Sequence, residues 1–109
     1  MINQVILIGN LGKDAEQRDV NGKPVVNFTM ATNEHYEDKN GEWQTVTQWH
    51  NVTAWRQLAE RYSDLRKGEM VFVFGKIKYR KYTDPQGVEK WQTNIEARTI
   101  RRLDKREQT

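Results

Sequence analysis

Short apolar runs, rather than long amphipathic stretches, dominate the hydrophobic pattern of this chain. Residues 5–8 form a continuous apolar run that Gly9 and Gly12 close, which predicts a buried strand followed by a turn. The pair Asn21-Gly22 predicts a hairpin turn. After it, apolar and polar residues alternate over residues 26–30, as in a half-buried strand.

The middle of the chain continues this β pattern until one helical segment interrupts it. Residues 34–42 are polar and charged, with a second turn predicted at Asn40-Gly41. Residues 45–55 predict a third strand. Residues 57–65 then place apolar side chains at helical spacing, and Gly68 ends the segment.

The last third returns to strands. Residues 70–77 predict a fourth strand, which the pattern allows to continue to Tyr82. Residues 83–87 predict a turn, and residues 91–100 predict a fifth strand. Five strands with one short helix between the third and fourth are the element order of the oligonucleotide-binding barrel. We therefore predict an all-β fold, a five-stranded oligonucleotide-binding (OB) barrel, in one domain over residues 1–103, with a short charged tail at 104–109.

Composition excludes several classes of protein. The chain has 109 residues, no cysteine and two histidines, which excludes disulfides and thiolate metal sites. Its first apolar run is too short for a signal peptide or a membrane span, so we expect a soluble, cytoplasmic protein. Asp14, Glu16 and Asp19 match no metal-ligand spacing, and neither a phosphate cradle nor a nucleophile elbow is present. We expect no catalytic residues, metal or cofactor.

The charge is unevenly distributed along the chain. Residues 1–75 carry 8 basic and 10 acidic side chains, whereas residues 76–109 carry 10 basic and 5 acidic ones. A basic C-terminal third suggests a polyanionic partner, which could be nucleic acid or an anionic membrane surface. Charge alone favours a solvated surface that happens to be basic.

Two tryptophans lie on the polar face of the third predicted strand. Because strand side chains alternate between faces, Val52 and Ala54 fit a barrel interior. The opposite face carries Thr47, Trp49, Asn51, Thr53 and Trp55. Large aromatic side chains on a polar face suit base stacking, which contributes about 1–3 kcal/mol per base. They could instead cover a loop or a subunit contact, and periodicity alone favours neither interpretation.

A second aromatic and basic cluster belongs to the fourth strand and its hairpin. One face carries Lys76, Lys78, Arg80 and Tyr82, and Lys81, Lys90 and Trp91 lie close by. Cations beside aromatic rings can neutralise phosphates while the rings receive bases. A solvated hairpin tip would have a similar composition.

Five segments, in order along the chain, resemble bacterial single-stranded DNA-binding proteins. They are residues 5–12 (VILIGNLG), 26–32 (VNFTMAT), 48–52 (QWHNV), 65–68 (LRKG) and 80–84 (RKYTD). The resemblance extends from residue 1 to about residue 100. It implies an OB barrel, usually a homotetramer, that coats unpaired DNA in replication, repair and recombination, and hence a nucleoid-associated protein.

The resemblance also assigns roles to individual residues. Trp49 and Trp55 match base-stacking positions, and Tyr36, Tyr82 and Trp91 stand where the family has aromatic residues. Four further residues match cations that contact the DNA backbone in the family: Lys67, Lys78, Arg80 and Lys81. His50 matches a histidine that looks structural, near the subunit contact.

This chain departs from the family pattern in two places. Asn51 and Gln57 stand where basic residues are common, which should weaken phosphate contact in mid-sheet. Family members usually continue to an acidic tip that docks partner enzymes, whereas this chain ends at RLDKREQT, so docking through a tail is not expected. The chain is either a trimmed or shortened form or a specialised paralogue.

Three rival functions remain open. A primosomal replication protein, similar to replication protein N, is a short tailless OB dimer that links DNA to replication proteins; the stacking aromatics favour DNA coating instead. An adaptor barrel would bind an acidic protein, and a small nuclease would cleave single strands with a metal.

The first strand predicts self-association. It is apolar on both faces, so one face can fill the barrel while the other, with Ile6, needs a cover. We expect Gln4 and His50 to lie near the same sheet edge, where hydrogen bonds could fix how two barrels meet. The prediction is a dimer around this strand that pairs again into a homotetramer, unless the N-terminal residues or a loop cover that face and the chain stays single.

Overall fold

Six strands and one short helix make up the structure, a computed structural model that describes residues 1–103. In chain order they are β1 (Val5–Leu11), β2 (Glu16–Val20), β3 (Lys23–Glu37), β4 (Trp43–Trp55), α1 (Arg56–Arg61), β5 (Met70–Thr83) and β6 (Glu89–Arg102). The charged tail predicted for 104–109 lies outside the described residues.

Five of the strands close into a barrel. The pairings run β1-β5-β6-β4-β3, and the ring closes where the end of β1 pairs with β3, Leu11 facing Met30. Every pairing is antiparallel except β4 with β6, where Val52 lies beside Ile95. The helix lies between β4 and β5, which are the third and fourth strands of the sequence prediction, and the predicted place of the helix is therefore correct. Among the described strands, the additional strand β2, which the sequence did not reveal, pairs only with β3 and lies outside the ring.

The turn predicted at Gly9 is wrong, because β1 continues to Leu11. At Asn10, β1 changes partner from β5 to β3, and a methyl group on the preceding Gly9 would overlap the carbonyl group of Ala31. This glycine therefore permits the close backbone approach that closes the barrel.

The barrel core follows the predicted alternation. Val52 and Ala54 are 1% and 0% exposed, whereas Trp49 and Trp55 on the other face are 61% and 38% exposed. Apolar side chains from every barrel strand join this core, among them Leu11, Met30, Val73 and Ile100. Period-two alternation thus separates a packed interior from an aromatic outer face.

Two long hairpins, β3–β4 and β5–β6, end in the same kind of turn. In one, the backbone N–H of Gly41 donates to the carbonyl of Asp38. In the other, Gly87 donates to Asp84, and both glycines have positive φ. This is a type I turn followed by a left-handed glycine. The polar residues 34–37 belong to strand β3, because they pair with residues 43–46.

The carboxyl group of Asp38 holds its turn together. Its Oδ1 accepts the backbone N–H groups of Asn40 and Glu42, each at 2.9 Å. The Gln44 amide donates to its Oδ2 at 3.1 Å. The bonds from Glu42 and Gln44 hold the pKa of Asp38 below its usual value of 3.8, because they favour the ionised carboxylate.

Helix α1 is shorter than predicted. It ends at Arg61 because Tyr62 leaves helical geometry, with φ −117° and ψ 23°. Tyr62 and Leu65 are nevertheless buried, and a turn rather than a helix brings Leu65 to the core. No helix within residues 1–103 has the length and apolarity needed to cross a membrane.

Candidate nucleic-acid interface

An open groove of about 540 Å³ runs across the outer face of the barrel, over β2, β3, β4, β5 and β6. Its floor is neutral and polar. The Asn94 amide donates to Thr53 Oγ1, and the Thr53 hydroxyl donates to Asn27 Oδ1, both at 2.8 Å. Asn51 also lines this floor. Such a surface offers amide and hydroxyl groups without a fixed charge.

Two of the predicted cations, Lys78 and Arg80, line the groove wall. Arg80 Nη2 donates to Gln92 Oε1 at 3.1 Å, and Lys78 Nζ lies 3.9 Å from Glu96 Oε1. Both cations remain exposed, so their contacts orient them without removing them from solvent. They are available to a polyanion in the groove.

Both predicted tryptophans of β4 lie along this outer face. Trp55 lines the groove at the end of the strand. Trp49 lies six residues earlier, against Gly12, where a methyl group would overlap its indole ring. Each presents ring surface to solvent.

The β5–β6 register divides the second cluster between two faces. Arg80 pairs with Gln92 and Tyr82 with Lys90, which places these side chains with Lys78 on one face. Lys81 pairs with Trp91 on the opposite face, where its Nζ lies 6.0 Å from the ring centroid. Lys81 and Trp91 therefore lie on the face of the hairpin opposite Lys78 and Arg80.

Two further predicted residues lie away from the groove. Tyr36 is exposed on β3 and pairs with Gln44, which by alternation puts it on the face opposite Trp49. Lys67 lies in the turn before β5, where its backbone N–H donates to Asp14 Oδ1 at 2.8 Å. Asp14 lines one end of the groove, so Lys67 sits beside that end.

Sequence reasoning missed two exposed aromatic residues. Trp43 is 70% exposed and begins β4, six residues before Trp49 on the same face. The alternation already applied to Trp49 could have found it. Tyr79 is 67% exposed and lines the groove, although Lys78 and Arg80 lie on either side of it in the sequence.

The outer face of β1 forms an exposed apolar patch with β5. Ile6 and Ile8 are 63% and 53% exposed, and they pair with Phe74 and Phe72, which are half-buried. Cross-strand partners share a face, so these four side chains form one surface, named here the β1 patch.

Gln4 and His50 do not lie near the same edge, and that expectation is wrong. Gln4 precedes Val5, which pairs with Gly75 at one end of β1. His50 pairs with Met30, which faces Leu11 at the other end of β1. The His50 ring is half-buried, with Nε2 2.9 Å from Thr32 Oγ1, as a structural histidine would be.

The barrel topology and its outer groove are those of an oligonucleotide-binding barrel. The Single-strand binding protein family matches residues 2–103, and the chain belongs to that family. Single-stranded DNA-binding proteins of Neisseria meningitidis serogroups A and B are each 43% identical to it over 104 residues. These residues cover 94% of this chain and 60% of each relative, so the chain spans about three fifths of their length.

Solved structures of the family superpose on this barrel. A deletion mutant of the single-stranded DNA binding protein from Thermus aquaticus gives a TM-score of 0.83 at 30% identity, over 96% of this chain and 52% of that one. The Plasmodium falciparum SSB, in complex with ssDNA, gives 0.85 at 30% identity, over 95% and 96% of the two chains. The predicted OB fold is confirmed.

Proposed function

We propose that this chain binds single-stranded DNA without catalysis and coats it during replication, repair and recombination, in the nucleoid. The observation that carries the proposal is the outer face of the barrel, where Trp55 borders a groove with a neutral polar floor and flanking cations, and Trp49 lies exposed on the same face. Membership of the Single-strand binding protein family supports it.

Stacking supplies the sequence-tolerant part of the proposed affinity. Indole rings that project from a polar sheet face stay partly hydrated, and a base that stacks on them removes apolar surface of both partners from water. Each such stack contributes about 1–3 kcal/mol by alanine substitution, whichever base is present. Trp49 and Trp55 lead this set, and Tyr36, Tyr82, Trp91, Trp43 and Tyr79 extend it along the two hairpins.

Phosphate neutralisation supplies the salt-dependent part. Lys78 and Arg80 border the groove that Trp55 also lines, so a strand whose base stacks on Trp55 brings its phosphates towards them. Lys67 and Lys81 would act at the flanks. Each phosphate neutralised on a single strand adds a slope of about −0.7 to the dependence of log affinity on log salt concentration.

A fluorescence titration with oligothymidine at two salt concentrations tests this function. Binding should quench tryptophan emission, and affinity should fall as salt rises. A slope near zero would reject the electrostatic account, and unchanged affinity in both Trp49→Ala and Trp55→Ala would reject stacking. Cleavage of the strand after magnesium is added would support the nuclease instead, and weak binding throughout would favour the adaptor.

The proposed assembly is a homodimer through the β1 patch that pairs again into a homotetramer. Isoleucine and phenylalanine side chains exposed on a sheet face are stabilised when a second copy covers them. A two-fold axis through the middle of β1 would bring the Gln4 end of one strand to the His50 end of the other. The separation of Gln4 and His50 within one chain suits this arrangement.

Light scattering at micromolar concentration distinguishes the assemblies. A mass near 13.0 kDa would exclude both interfaces. A mass near twice that value would keep only the β1 patch contact and favour the primosomal type of dimer. A mass near four times the single chain would support the tetramer.

A further inference from the structure

A second cavity of about 540 Å³ adjoins the groove and shares Trp55 and Glu96 with it. It lies between the start of β3, the first turn of α1 and the paired strands β5 and β6. Its cations are Lys23, Arg56, Lys76 and Arg98. This cavity is named here the basic cleft.

The basic cleft is more positive than the groove. The groove lining carries four cations against three acids, Asp14, Glu16 and Glu96. The cleft lining carries four cations against Glu96 alone, and Lys76 Nζ lies 3.5 Å from that carboxylate. Within residues 1–103, no ion pair involves Lys23, Arg56 or Arg98. A polyanion therefore gains more electrostatic attraction in the cleft than in the groove.

The backbone at Arg56 adopts a conformation that arginine disfavours. Its φ of 59° lies in the left-handed region, which glycine enters without steric cost. A non-glycine residue held in such a conformation points to a role for its side chain. Here that side chain lines the basic cleft, directly after Trp55.

A β-bulge lies at Arg98, the cation that β6 contributes to the basic cleft. Phe74 pairs with Thr99 and Gly75 with Ala97, so Arg98 has no partner across the β5–β6 pairing. A bulged residue re-aims its side chain relative to a regular strand. Arg98 is exposed and lines the basic cleft. Two separate backbone irregularities, at Arg56 and at Arg98, thus place cations in one cavity.

We propose that the phosphodiester backbone of a single strand in the groove continues past Trp55 into the basic cleft, where Lys23, Arg56 and Arg98 neutralise its phosphates. The proposal rests on the proposed function and extends its binding path. A base stacked on Trp55 has a phosphate on each side. One side faces the Lys78 and Arg80 wall, and the other faces the cleft.

The double variant Lys23→Gln with Arg98→Gln tests the path by its salt dependence. If each side chain neutralises one phosphate, the log–log slope becomes about 1.4 less steep. The affinity ratio between parent and variant should then shrink about sevenfold between about 50 mM and about 200 mM salt. Oligothymidines of about 4 to 16 nucleotides cover the site sizes of a single barrel. Arg61→Gln removes a single exposed cation of α1 outside both cavities; it is the control for loss of one positive charge elsewhere and should change the slope little.

Arg56→Gly separates function from stability. Glycine fits the left-handed backbone, so the thermal midpoint should hold or rise while affinity for the longer oligothymidines falls severalfold. Asn21→Gly is the conformational control, because Asn21 also has a positive φ, of 53°, and does not line the cleft. It should hold or raise the midpoint without changing affinity.

A double variant that keeps the parent's salt slope at every oligothymidine length overturns the proposal, whatever Arg56→Gly does. This outcome differs from failure of the proposed function, in which the parent itself binds no oligothymidine at low salt.

Discussion

Gly12 offers a way to displace one stacking ring without touching it. A methyl group at this position would overlap the Trp49 indole and lie 2.8 Å from its Cη2 atom. Gly12 does not have a positive φ, so alanine fits the backbone. Alanine also keeps the backbone N–H that donates to the carbonyl of Thr29 at 3.1 Å. The substitution Gly12→Ala therefore acts mainly by moving the Trp49 ring.

The magnitude follows from what the ring does. Trp49 is 61% exposed, so its ring contributes little to the core, and Trp49→Ala should cost chiefly one base stack. That loss is about 1–3 kcal/mol, or a weakening of about 5-fold to about 150-fold in Kd. Gly12→Ala should lose part or all of the same energy. In the Trp49→Ala background no ring remains to be moved, and Gly12→Ala should have no further effect.

A double-mutant cycle measures this coupling. Fluorescence anisotropy of labelled oligothymidine gives Kd for the parent, both single variants and the double variant. Thermal melting of all four proteins is the control that the barrel stays folded. Equal losses from Gly12→Ala in both backgrounds would show that the two residues act independently. That result would refute the reasoning that Gly12 acts through the position of Trp49.

Three other predictions follow from single features. Trp43→Ala should weaken binding of longer oligothymidines by about 1–3 kcal/mol, and unchanged affinity would remove Trp43 from the path. Ile8→Asp should lower the mass measured by light scattering towards 13.0 kDa, whereas Val88→Asp, an exposed control at the β5–β6 tip, should not. Because its folded pKa is lowered, Asp38 stabilises its hairpin turn above pH 3.8, and this contribution disappears as the pH falls through the folded pKa. An NMR titration of the Asp38 carboxyl should therefore have its midpoint below 3.8, and a midpoint at or above that value would contradict the hydrogen-bonded turn.

Local sequence patterns predicted the features that depend on neighbours in the chain. Alternation over residues 45–55 separated Trp49 and Trp55 from Val52 and Ala54, because a strand turns successive side chains to opposite faces whatever it pairs with. The turn at Asn21-Gly22 was equally local, since both residues adopt the positive φ that a two-residue hairpin requires. The order of strands and helix along the chain followed from such signals, and that order predicted the barrel.

Pairing between distant strands decided the rest. Gly9 resembled a turn residue in the sequence, but the structure shows that a glycine is needed there because the Ala31 backbone approaches closely in the closed barrel. The β5–β6 register placed Lys81 with Trp91, away from Lys78 and Arg80, and the bulge turned Arg98 towards Arg56 and Lys23. A one-residue shift of register moves a side chain to the other face of a sheet. The sequence by itself determined the five barrel strands and the outward face of Trp49 and Trp55, and only the tertiary structure decided which cations meet in one cavity, because register depends on contacts between residues far apart in the chain.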